Sequence, residues 1–215
     1  HLFEIVKNHS TQFDTFLIIN PNHTGMGDVM TFDQNDYWDT PYGKIEVDKD
    51  FEQNLNIPAS DIEEKREHSG EVMIPLLKYF LDYRFKIAPV TMTVQTHRMA
   101  LKLANEIFKA NQGLQKNIFL IASSDFSHFV TPKIGAEKDQ YVLDKIQQFD
   151  AQGVEQVITN QHISVCGYGP IMALIEYAKM VSPNPKNKIL CKGNSGDVMP
   201  SNEVVDYVSM LFYQE

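Results

Sequence analysis

Cysteine is scarce in this chain. Its 215 residues contain two, Cys166 and Cys191, one before an apparent helix and one in a strand-like run, which excludes a disulfide scaffold. No long run of Lys or Arg is present, and 28 acidic residues outnumber 19 basic ones for a formal charge of −9. Nothing here would neutralise a phosphate backbone, so nucleic acid is excluded as a partner. No apolar stretch approaches the roughly 20 residues of a membrane-spanning helix, and the opening His1-Leu2-Phe3-Glu4-Ile5-Val6-Lys7 lacks the basic and apolar regions of a signal peptide. Repeats, low-complexity tracts and long linkers are missing too. These absences point to a soluble cytoplasmic protein with no membrane contact. A hydrophobic content of 43% over this length supports one sizeable core, hence a single domain over residues 1–215. The chain has no initiator Met and opens inside an apparent helix, so an N-terminal segment is expected to be missing.

The apolar patterning alternates strand and helix. Leu2, Phe3, Ile5 and Val6 recur at helical spacing, and Thr15 to Asn20 reads as a short buried strand that ends at Pro21-Asn22-His23-Thr24-Gly25. Lys44 to Asp48 alternates like a half-exposed strand after a Thr-Pro-Tyr-Gly turn, Ser69 to Leu81 is helical but interrupted by Pro75, and Ile87 to Thr93 is a second buried strand. A helix over His97 to Ala110 leads to the clearest strand, Asn117 to Ala122, which runs into Ser123-Ser124-Asp125-Phe126-Ser127-His128. Helices over Ala136 to Asp150 and Gly169 to Met180 precede terminal strands near Ile189 to Lys192 and Val204 to Phe212, with a surface loop over Ser182 to Lys188. The alternation predicts a layered α/β architecture.

Functional groups of such sheets gather beyond the carboxyl ends of strands. His23 follows the first buried strand, Asp125 and His128 follow the clearest one, and Cys166 stands just before a helix whose dipole would favour a thiolate. Two imidazoles, a carboxylate and a thiolate suit iron, zinc or copper and make a poor cage for magnesium or calcium. Each also has a structural reading: His23 capping a turn, Asp125 as an N-cap, His128 as a surface histidine, Cys166 as a small buried hydrophobe. His68, in Glu67-His68-Ser69 with Glu71 nearby, has carboxylates that could fix its tautomer for proton transfer, although Ser69 and Glu71 also read as helix-entry residues. His1, His9, His97 and His162 read as solvated or structural.

Five segments occur in order: Asn20-Pro21-Asn22-His23-Thr24-Gly25, Trp38 to Gly43 with Lys44 to Asp48, Glu67-His68-Ser69-Gly70-Glu71, Ser123 to His128, and Cys166-Gly167-Tyr168-Gly169-Pro170. In this set the chain resembles Memo-like proteins over nearly its whole length, and is most similar to the prokaryotic branch named AmmeMemoRadiSam system protein B. The resemblance implies a three-layer α/β/α fold with a central mixed sheet, similar to class III extradiol dioxygenases. It also implies a metal-type cleft in which His23 and Cys166 are ligands, Asp125 and His128 line the same cleft, and His68 matches a further lining segment. The implied metal is iron first, then copper or zinc. The family's other ligand histidine lies in a Pro-His-Ala-Gly motif that these residues do not contain, so the expected metal content extends to none.

Three functions follow from these expectations. The first is metal-dependent redox chemistry on a small substrate, with His128, His68 and Asp125 as catalytic groups. The alternative is a non-catalytic scaffold that binds phosphotyrosine-like or other anionic peptides in the cleft, for which the net charge is unhelpful. A zinc-dependent hydrolase is third.

Overall fold

The computed structural model describes residues 2–60 and 67–214; His1 lies outside them. At its centre is β1 (Thr15–Pro21), buried at every residue, as expected of an apolar strand covered on both faces. It pairs in parallel with β5 (Lys86–Met92) on one side and β6 (Ile118–Ala122) on the other. The far side of β5 is shared. β4 (Gly43–Val47) pairs in parallel with Lys86 and Ile87, and β2 (Met30–Phe32) pairs antiparallel with Val90 to Met92. Pro89 falls between these two partners, where its missing N–H costs no ladder bond. β3 (Tyr37–Thr40) closes the edge as a hairpin with β4, so the sheet is mixed.

Successive side chains of β1 divide between two apolar clusters. Leu17 and Ile19 pack into one, Phe16 and Ile18 into the other, which follows from the two-residue period of a strand. The first face is covered by α4 (His97–Leu114), α5 (Pro132–Gln147), α6 (Ala151–Gln161) and α7 (Tyr168–Val181). The second is covered by α1 (Leu2–Lys7) and α3 (Met73–Phe80). The result is the α/β/α sandwich with a mixed central sheet. α4 is capped by Thr96, whose side chain accepts from Met99 N, and it buries Ala100, Leu103, Ala104, Ile107 and Ala110 at helical spacing against α7. No helix among the described residues is long and apolar enough to cross a membrane.

A second, antiparallel sheet is built from β7 (His128–Val130), β9 (Val204–Tyr213) and β8 (Lys186–Asn194) in the order β7-β9-β8. Several boundaries differ from the sequence expectation. The helix expected over 136–150 stops at Gln147, Phe149 takes a left-handed φ of 54°, and Asp150 caps a further helix, α6, by accepting from Gly153 N. The loop expected over 182–188 ends at Pro185, because Lys186 begins the hairpin with β9. The helix expected from Ser69 starts at Met73, which leaves Pro75 in the first turn, where its missing N–H is tolerated.

Candidate functional site

The loops that leave β1 and β6 emerge at one edge of the sheet, because the strands are adjacent and parallel. After β1, Asn22 folds its loop on itself: its Oδ1 accepts from Thr24 N at 2.9 Å and Gly25 N at 3.2 Å, and its Nδ2 donates to Met26 O at 2.7 Å. That turn presents His23. The His23 backbone N–H donates to Glu67 Oε2 at 2.5 Å, and its ring Nδ1 lies 3.0 Å from Glu67 Oε1. Nδ1–H donates to the carboxylate, so Nε2 carries the lone pair.

Glu67 anchors this half of the rim. It is buried and also accepts from His68 N at 2.8 Å, Ser69 N at 2.9 Å and Ser69 Oγ at 2.8 Å. Burial works to raise its pKa, but the hydrogen bonds from His23 and Ser69 prevail and hold it at about 2. His68 stands outside, 71% exposed in its side chain, with Nδ1 3.7 Å from Glu67 Oε1. Its ring stacks on that of His23 at 5.3 Å between centroids.

The other half hangs from β6 and from the loop before α7. Asp125 N donates to Cys166 Sγ at 3.2 Å, Cys166 N to Asp125 O at 3.3 Å, and Gly167 N to Ser124 Oγ at 2.9 Å. Gly167 allows this approach: a Cβ there would lie 2.2 Å from the Ser123 carbonyl oxygen. Gln95 fixes the start of α7, donating to Cys166 O and accepting from Gly169 N, both at 2.8 Å. The His128 ring donates from Nδ1 to Ser164 O at 2.7 Å, which turns Nε2 toward Asp125 Oδ2 at 3.6 Å.

The ligand atoms of Asp125, His128 and Cys166 all lie within 4.8 Å of one another, as do those of His23, Glu67 and His68. The sequence-predicted residues therefore stand in two groups, with Cys166 beside Asp125 and His128, and His23 beside His68. The groups are joined through Ser69, which donates from Oγ to Pro21 O at 3.1 Å and accepts from Ser123 Oγ at 2.6 Å.

Two local expectations change. Asp125 caps no helix, since β7 follows it and Thr131 caps α5. The thiolate expected from the helix dipole is opposed: burial pushes the Cys166 thiol up, and the Asp125 charge adds to this, against hydrogen bonds from Asp125 N and Ser124. His97 is structural, with Nε2 3.0 Å from Glu176 Oε1 and its backbone N–H donating to Glu155. Sequence reasoning named Glu67 only as a neighbour of His68, and missed that it holds His23 across 44 positions of chain.

Behind His128 lies a buried carboxylate pair. Asp139 Oδ1 accepts from Ser127 N at 3.1 Å and Ser127 Oγ at 2.6 Å, while Asp206 is pushed up to about 6 by burial and then by the Asp139 charge. Asp206 Oδ2 has no donor among the described residues, a need that a proton taken up by the pair as pH falls below about 6 would meet.

A family model described as Memo-like protein matches residues 1–211. A MEMO1 family protein of Saccharolobus solfataricus is 38% identical over 206 residues, which covers 93% of this chain and 72% of that protein. One of Methanobrevibacter smithii is 39% identical over 216 residues, 97% of this chain and 75% of the relative.

Proposed function

The chain belongs to the Memo family, and from that premise we propose that its rim is a metal-binding cleft that performs redox chemistry on a small substrate. The observation that carries the reading is the approach of a carboxylate, an imidazole and a sulfur within 4.8 Å of one another at the end of β6. A first-row ion bound at about 2.0–2.3 Å draws its donors into such a span. The donors are mixed hard and soft, which favours iron first, then copper or zinc, over magnesium or calcium.

In this reading Cys166, His128 and Asp125 hold the ion, and His23 offers a further imidazole from the neighbouring strand. Bound iron or copper would supply a redox-active Lewis acid, and zinc a Lewis acid alone. The chain's own residues do the rest. Ser164 O fixes the His128 tautomer, and Glu67 fixes that of His23, so each ring is committed to one orientation before any ligand arrives. The half-buried Cys166 thiol is protonated at neutral pH and releases that proton on binding, which makes affinity rise with pH. His68, exposed and beside the Glu67 carboxylate, is placed to exchange protons with solvent.

Metal analysis of the purified protein tests this directly. We expect stoichiometric iron, copper or zinc that falls by about tenfold or more in Cys166→Ser and in His128→Ala. Full metal content in both variants would remove the site. Zinc without redox turnover would favour a hydrolase, and phosphotyrosine binding by chelator-treated protein, measured by calorimetry, would favour the scaffold.

A further inference from the structure

Among the described residues, four that are not glycine take a positive φ: Gln115, Phe129, Phe149 and His162. Gln115 and His162 are helix C-caps, and Phe149 follows the C-cap Gln148, places where the left-handed region is routine. Phe129 is in a strand, β7, and at φ 56° its side chain crowds its own backbone where glycine or asparagine would sit with less strain. The ladder shows what this conformation does. His128 pairs with Val205 and Val130 with Val204, so two steps along β7 answer one along β9, and Phe129 is the extra residue of a bulge. In a regular strand His128 and Phe129 would point to opposite faces. Here the Phe129 ring lies 5.9 Å from the His128 ring between centroids, tilted by 52°.

Core packing does not offset this strain. Of the 13 phenylalanines, all among the described residues, Phe129 alone is exposed, at 74%, and it belongs to neither apolar cluster. Phe149, by contrast, packs its ring on that of Phe212 at 5.5 Å. Strain that the fold maintains without a packing gain marks a functional position. The gain is at His128, whose Nδ1 is held by Ser164 O and whose Nε2 lies 3.6 Å from Asp125 Oδ2. Phe129 thereby sets an uncovered aromatic face next to the cluster of Asp125, His128 and Cys166. A polar cluster with an open ring at its side suits a ligand of two unlike parts, a polar end and an apolar body. An alkyl body would gain only by covering area, whereas a flat ring gains further from offset or edge-to-face contact with Phe129.

We propose that Phe129 is the specificity-determining residue of the cleft, selecting small molecules in which a planar ring is joined to a polar donor group. The polar group enters the cluster and the ring lies against Phe129. This rests on the reading of the rim as a ligand-binding cleft, and is independent of whether a metal binds.

The test uses two probes that share a hydroxamate and differ in the ring: benzohydroxamic acid, which is planar, and cyclohexanecarbohydroxamic acid, which is saturated and of similar size. Ligand-observed NMR titrations on metal-loaded and on chelator-treated protein give the ratio of their dissociation constants. Wild type should favour the planar probe in both forms. Phe129→Leu, which keeps apolar bulk and loses the ring, should reduce that preference by about two- to tenfold. Phe129→Gly should lose the preference as well, while its melting temperature stays level or rises, because glycine accepts φ 56° without strain. The proposal is overturned if neither probe binds either form, if wild type binds the saturated probe as tightly as the planar one, or if the ratio is unmoved in Phe129→Leu. A lowered melting temperature in Phe129→Gly would also overturn it, by making the ring a structural group. Failure of the metal reading looks different: the protein takes up no metal and the planar preference persists in the metal-free form.

Discussion

Replacing Glu67 by Gln isolates the group that orders the histidine half of the rim. The folded carboxyl is held at about 2 against an ordinary 4.5. By linkage this difference corresponds to roughly 3 kcal/mol of stability at neutral pH. The side chain is 1% exposed, so solvent screening removes little of it. Gln keeps one acceptor. If its oxygen takes the place of Oε1, which serves His23 Nδ1, His68 N and Ser69, its amide nitrogen then faces the His23 N–H that Oε2 accepted. A buried donor left without an acceptor costs about 1–3 kcal/mol.

Glu67→Gln should therefore lose about 2–4 kcal/mol at pH 7 in urea unfolding of chelator-treated protein. The pH dependence has a fixed sign. A carboxylate whose folded pKa is depressed contributes fully above its unfolded value and loses that contribution as pH falls through the folded one. The wild type should lose stability from about pH 5 toward pH 2, and the gap to the variant should narrow over that window. A gap below about 0.5 kcal/mol at pH 7, or one equally large at pH 3, would refute this account of Glu67.

Asp206→Asn should act in the opposite sense. The wild-type pair favours a bound proton, so its stabilising effect is present at low pH and is lost as pH rises through about 6; the variant, neutral throughout, should be about 1–2 kcal/mol more stable than wild type at pH 8 by denaturant titration. Gly167→Ala forces a methyl against the Ser123 carbonyl and Ser124, and should lower stability by about 2 kcal/mol or more together with metal content. Lys116→Met leaves Asp48, which also caps α2 (Lys49–Gln53), with its buried charge unpaired after loss of two contacts of 2.7 Å. A loss of about 2–4 kcal/mol in thermal or urea unfolding is expected.

The parts of the fold that were legible in the sequence are those in which one residue type repeats at one period. β1 and β5 are buried on both faces and β6 is half-buried, and each writes a mainly apolar run bounded by polar turns. α4 shows its buried stripe in the same direct way. β2, β3 and β7 are only three or four residues long, too short for a period to emerge. α6 was hidden by a chain reversal at Phe149 that no glycine or proline announces. Of the site, the residue types and the shared edge were readable because strand ends dictate where loops meet. The grouping was not. Which histidine sits beside the sulfur depends on hydrogen bonds such as Glu67 to His23 and Ser164 to His128, made between positions 44 and 36 apart. The state of Cys166 depends in the same way on burial by distant elements, the largest cause of its raised pKa.

The Ser123 hydroxyl that reaches the Ser69 carbonyl has a further effect. Together with the Ser69 bond to Pro21 O, it ties three segments together by hydrogen bonds at the edge where β1 and β6 are already paired. A molecule touching both halves of the rim is then gauged against a fixed ruler. In the proposed cleft, such a tie would favour ligands of one length over shorter and longer homologues.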